Sequence, residues 1–146
     1  MNKITFLSLL VSCWLIAGCQ NEWGDTEGFH YDTSLHYDES ILLLDSISNC
    51  SGNIDDAFFV DTLFIESVGG KKTLVFPAQI YTDKKIIRSI GIHPSGDTLI
   101  VGLIEKEKTP NYLLDCPVLV YSTVNKDLPG KYLSLGPAYT YFLKKK

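Results

Sequence analysis

Four cysteines and three histidines are the side chains in this 146-residue chain best suited to chemistry, and their spacing says what they cannot do. His30, His36 and His93 are scattered, with no His-x-x-x-His and no Cys-x-x-Cys, so a zinc site lacks its usual scaffold. No Gly-x-Ser-x-Gly elbow is present, so the common serine-hydrolase arrangement has no anchor. Gly69-Gly70 sits between two β-rich runs and not before a helix, so it is no phosphate loop. A Cys116–His93 dyad would need only nearness in space. It competes with a disulfide and with a plain turn role for His93, which precedes Pro94. The stretch "NCSGNIDDAFFVD" concentrates side-chain oxygens at Asn53, Asp55, Asp56 and Asp61. Four oxygens could seed a Ca²⁺ site, but EF-hand spacing and its closing glutamate are missing. A solvated turn explains the same residues. The expectation is therefore a chain with no catalytic residues, no metal and no cofactor.

Eight tyrosines offer a different chemistry. Tyr112, Tyr121, Tyr132, Tyr139 and Tyr141 crowd the last third. Tyrosine suits strands, and exposed rings also present apolar area with a polar tip to a protein or glycan. In "AYTYFL", Tyr139 and Tyr141 alternate and share a face opposite Phe142. If Phe142 belongs to the core, the two tyrosines face outward as candidate ligand contacts.

The amino end decides the compartment. Lys3 is followed by a nearly unbroken apolar run of thirteen residues, Ile4 to Ile16. That is short of the roughly 20 needed to cross a bilayer and matches the core of a signal peptide. Ile16-Ala17-Gly18-Cys19 resembles the lipobox of bacterial lipoproteins. The resemblance implies cleavage before Cys19, a diacylglycerol thioether on its sulfur, and a fatty acyl chain of the palmitate type on the new amine. Several chains anchor far more firmly than one. Gln20 resembles the residue after the cysteine in lipoproteins sorted to the outer membrane. Glu22, Asp25 and Glu27 resemble the export signals of Bacteroidota surface lipoproteins. Lipid on Cys19 thus implies a membrane-tethered protein of the outer membrane, facing the periplasm or the cell surface.

With residues 1–18 removed, 128 residues remain, enough for one domain with a real core. The formal charge of −4 argues against nucleic acid as a partner. The charge is unevenly spread. Residues 19–70 hold eleven acidic and no basic side chains, and residues 71–146 hold six acidic and twelve basic. Either the halves neutralise each other across the fold, or the first presents an acidic patch. Of the cysteines, Cys13 leaves with the leader and Cys19 takes lipid. Cys50 and Cys116 then remain as a disulfide or as two buried thiols.

Residues 19–38 read as an acidic tether, although Trp23, Phe29, Tyr31 and Tyr37 are unusual in a linker and suggest that part of it packs back. Residues 39–146 read as strands. "ILLLDSIS" is a short buried run. Gly69-Gly70 predicts a hairpin that sets Leu63 and Ile65 beside Leu74, Phe76 and Ala78. Its other face mixes Thr62 and Glu66 with Phe64 and Val75. Pro77 suggests an edge or bulge. Pro94-Ser95-Gly96-Asp97 predicts a second hairpin, pairing Ile92 with Leu99 and Ile90 with Val101, and placing Arg88 near Leu103. Gly91 and Gly102 would lie on the opposite face and permit a close backbone approach. Leu128-Pro129-Gly130 before a Tyr-containing strand resembles the entry to the last strands of bacterial Ig-like domains. Seven or eight short strands with frequent turns predict an all-β fold, an antiparallel Ig-like sandwich with a small barrel as the rival. The functional expectation is a non-enzymatic binding or structural module of the cell envelope, with a periplasmic inhibitor or immunity-type protein as the alternative.

Overall fold

Alternating apolar residues with turns between them build eight strands in a computed structural model. It describes residues 32–50, 55–81, 83–106, 116–136 and 139–146, with the side chains of residues 55 and 56 excepted. The strands are β1 (Leu42–Ile47), β2 (Thr62–Val68), β3 (Lys71–Ile80), β4 (Ile87–Ser95), β5 (Thr98–Glu105), β6 (Cys116–Val124), β7 (Tyr132–Leu135) and β8 (Tyr139–Lys145). A single helical turn, α1 (Asp55–Phe58), precedes β2.

The all-β expectation holds, and the architecture follows the rival of the two. All eight strands form one sheet in the order β1-β6-β3-β2-β8-β7-β5-β4. The sheet curls until its two outer strands, β1 and β4, approach each other, leaving a nearly closed barrel. A twisted sheet with one apolar face buries that face by closing on itself. The two separate sheets of an Ig-like sandwich are not formed by the described strands. Nor is the sheet wholly antiparallel, since β2 runs parallel to β8 and β5 parallel to β7.

The first hairpin forms as expected. Val68 pairs with Lys71 across Gly69 and Gly70, both at positive φ. Leu63, Ile65, Leu74, Phe76 and Ala78 face the core. Pro77 lies past Leu74, where the pairing between β2 and β3 has ended, so its missing N–H interrupts no pair between these two strands. The second hairpin is shifted from expectation. Ile92 pairs with Val101 and Ile90 with Leu103, because Gly96 (φ 60°) and Asp97 form the turn and Ser95 meets Thr98. A shift by two residues keeps every side chain on its face. Arg88 is not beside Leu103. It is the extra residue of a bulge between Ile87 and Ser89, and its Nη2 donates to Glu39 Oε1 at 2.9 Å.

The barrel interior is lined by aliphatic side chains from every strand, with Tyr141 and Phe76 the largest that are fully buried. Ser122, the one buried polar residue among the described residues, donates from Oγ to the Leu74 carbonyl at 2.7 Å. Cys50 and Cys116 are joined as a disulfide, with Cα atoms 5.3 Å apart. The bond ties the chain after β1 to the start of β6, which is the partner strand of β1.

Residues 36–38 pack on the domain along the free edge of β4. Asp38 and Ile92 exchange backbone hydrogen bonds of 2.9 and 3.1 Å, occupying the outer edge of β4. His93 Nδ1 lies 2.8 Å from the His36 carbonyl oxygen. The close approach expected at Gly91 is made by Tyr37. A Cβ at Gly91 would sit 2.7 Å from Tyr37 Cβ and 2.9 Å from Ile104 Cδ1. Three ion pairs join the acidic first half to the basic second half: Glu39–Arg88, Asp38–Lys126 and Glu66–Lys146. These pairs neutralise part of the charge asymmetry across the fold.

Candidate binding surface

Strand β8 decides which aromatic rings are available, and it faces opposite to the outward-tyrosine expectation. Tyr141 is 1% exposed and Phe142 is 41% exposed. Tyr139 is half-buried against the core, with its ring 5.0 Å from that of Phe58. The side chains alternate along the strand as expected, but alternation alone does not say which face is inside. The neighbours settle it. Tyr141 pairs with Leu133 of β7, whose side chain is fully buried. Tyr139 and Tyr141 are thus packing residues and not a ligand face. The Tyr141 hydroxyl finds no hydrogen-bond partner among the described residues. Its burial, and then the neighbouring Tyr139, push its pKa up to about 12.

The outer face carries a different aromatic row. Tyr121 of β6 lies opposite Val75 of β3. One strand over, Phe64 of β2 and Val75 follow directly after the Ile65–Leu74 pair. On β8, Phe142 lies opposite Thr62 of β2 on one side and Tyr132 of β7 on the other. The Tyr132 and Phe142 rings meet edge to face at 5.6 Å. Five adjacent strands therefore present Tyr121, Val75, Phe64, Phe142 and Tyr132 on one surface, all exposed. Single exposed apolar residues are ordinary, whereas contiguous ones mark interaction surfaces. Lys146 borders the row, with Nζ 5.0 Å from the Phe64 ring centre and 2.7 Å from Glu66 Oε1. Threonines 62, 73, 123 and 140 lie among these residues on the same strands. The combination of flat rings, hydroxyls and a paired charge suits stacking and hydrogen bonding without covalent chemistry.

Set beside known protein families, curated proteins and solved structures, the chain matches none.

The remaining candidate residues are placed as follows. Cys116 is bonded to Cys50, so it has no free thiol for a dyad with His93. His93 serves instead to hold the His36 carbonyl. Cys19 lies outside the described residues, as do Asn53 and the side chains of Asp55 and Asp56. Asp61 accepts a hydrogen bond from the Thr62 hydroxyl at 2.9 Å. Among the described residues no three His, Cys, Asp or Glu side chains gather as a metal site requires. The sequence did carry a signal for the outer row. Phe64 and Val75 broke the polar character of their face, and that departure was the clue.

Proposed function

We propose that this chain is a lipid-anchored lipoprotein of the cell envelope whose barrel is a non-enzymatic binding module for a protein or a glycan. The anchor reading is supported by Ile16-Ala17-Gly18-Cys19 following a thirteen-residue apolar run. The binding reading is carried by one observation, the contiguous row of Tyr121, Val75, Phe64, Phe142 and Tyr132 on the outer face. Aromatic side chains of this kind supply most of the energy in many recognition surfaces.

Two experiments test the two halves separately. Cys19→Ala should move the protein from the membrane to the soluble fraction once membranes are washed at high salt, which removes purely electrostatic contacts; membrane association that survives the wash would remove the lipid anchor. Wild type and a Phe64→Ser/Phe142→Ser/Tyr132→Ser variant should then be compared on glycan arrays and against purified envelope proteins. A ligand held by the wild type and lost by the variant, with folding retained, supports the surface. A ligand held equally by both would move the binding site elsewhere.

A further inference from the structure

One end of the barrel gathers positive charge on a protein that is negative overall. The topology brings together the β2–β3 turn, the β4–β5 turn, the connection after β6 and the carboxyl end of β8. Seven lysines lie there, numbers 71, 72, 126, 131, 144, 145 and 146, all exposed. Four face carboxylates: Lys72–Asp127 at 3.1 Å, Lys126–Asp38 at 3.8 Å, Lys131–Asp97 at 3.1 Å and Lys146–Glu66 at 2.7 Å. Lys71 and Lys144 make no ion pair among the described residues. Lys145 acts through space on Asp127, whose carboxyl is held below its ordinary range by the Lys72 hydrogen bond and charge and then by Lys145. At the tip between these lysines, Val68 is 62% exposed.

The amino-terminal part of the described chain also lies toward this end. Strand β4 runs up to Ser95 beside the Gly96–Asp97 turn. The segment bearing Asp38 runs antiparallel to it, so the chain traced back from Asp38 to Leu35 heads the same way, up to a turn closed by the Leu35 N–H donating to the Asp32 carbonyl at 3.0 Å. Only the twelve residues 20–31 separate Asp32 from Cys19. A chain of that length reaches at most about 45 Å.

We propose that this lysine-rich end rests on the anionic phosphate headgroups of the membrane that holds the lipid. The proposal rests on the Cys19 anchor reading for where the membrane lies. Lysines near an anionic surface each strengthen binding about fivefold, and a short tether keeps the surface at high effective concentration, so a weak contact suffices. Val68 adds a small apolar contact at the tip. The acidic tether residues Glu22, Asp25 and Glu27 are repelled by the same surface, so the lysine end makes the contact. In this orientation the strands stand upright and the aromatic row on the barrel wall stays open.

The test uses unlipidated residues 19–146 with Cys19→Ala, which hold every described element, and vesicles of phosphatidylcholine with or without phosphatidylglycerol. The protein is expected to sediment with the anionic vesicles, not with the neutral ones, and to release at high salt. Lys71→Gln/Lys144→Gln should lower partitioning about 25-fold. Lys85→Gln/Lys106→Gln, at the opposite end with the same change in net charge, should leave it unchanged. All four side chains are exposed, and an unaltered circular dichroism spectrum certifies the fold. Failure of the parent to bind anionic vesicles would overturn the proposal, as would equal loss in both variants. Because this protein carries no lipid, either failure leaves the Cys19 reading to be judged by fractionation alone.

Discussion

Replacing Gly91 with alanine sets two effects of opposite sign against each other. Glycine inside a strand costs roughly 0.5–1 kcal/mol relative to alanine, so alanine at an open position would stabilise β4. Gly91 is not open. The new methyl would stand 2.7 Å from Tyr37 Cβ and 2.9 Å from Ile104 Cδ1. Ile104 can yield, because Cδ1 is the free end of its side chain. Tyr37 Cβ is fixed to the backbone and cannot move by a rotamer change. The segment holding it is pinned by the Asp38–Ile92 hydrogen bonds of 2.9 and 3.1 Å. Overpacking of this kind costs about 1–3 kcal/mol, and a contact with a backbone-fixed atom belongs at the upper end. The net expectation is a loss of about 2 kcal/mol, taking both terms together. Urea denaturation of Gly91→Ala measures it, and hydrogen exchange should quicken first at residues 36–40. The decisive control is Tyr37→Gly, which removes the clashing atom. In that background Gly91→Ala should cost much less, or stabilise. A cost that is the same with and without Tyr37, or a stabilising Gly91→Ala in the wild type, would refute the packing of this segment against β4.

Other expectations follow from the same structure. Tyr141→Phe removes a buried hydroxyl with no partner among the described residues and should raise stability by about 1 kcal/mol in denaturant titration. Its raised pKa also sets an alkaline limit: the folded state holds the proton more tightly, so this contribution is full below the ordinary value of 10.0 and is lost as pH rises through about 12. The difference between wild type and Tyr141→Phe should therefore widen in that range. Cys50→Ser with Cys116→Ser opens a loop set by a separation of 66 residues. Loop entropy gives roughly 4 kcal/mol as an upper guide, so a loss of about 2–4 kcal/mol is expected, with exchange quickening around residues 41–48; two free thiols in protein purified without reductant would reject the bond in solution. The Asp38 carboxyl is held below 3.8 by hydrogen bonds from the Ser40 hydroxyl and backbone N–H. Its contribution is present above that value and is lost as pH falls below it, so wild type and Asp38→Asn should converge in acid.

Local features of this fold were legible in the sequence, and long-range ones were not. Gly69-Gly70 specified its own hairpin because turn chemistry is decided within four residues. The cysteine pair could be reached by elimination. The choice between sandwich and barrel could not, because both need short alternating strands with frequent turns. What separates them is the parallel pairing of Thr62 with Phe142 and of Thr98 with Tyr132, which no local pattern encodes. The same pairing hid the facing of Tyr139 and Tyr141. A period of two relates Tyr141 to Phe142 but leaves the core side open until Leu133 and β2 are in place. Gly91 announced a close approach, yet the approaching residue, Tyr37, lies far back in a segment with no strand period. The candidate surface was half visible. Phe64 and Val75 stood out on a polar face, and Phe142 joined them only when its strand was turned over.

Site-specific photo-crosslinking in cells tests the central claim most directly. A photoreactive aromatic residue placed at Phe142 or Tyr132 keeps the character of the exposed row, and one at Glu105 serves as an exposed control elsewhere on the barrel. The account predicts light-dependent adducts with one envelope protein or glycan from positions 142 and 132 and none from 105. Adducts from 105 alone, or equal labelling at all three, would contradict it.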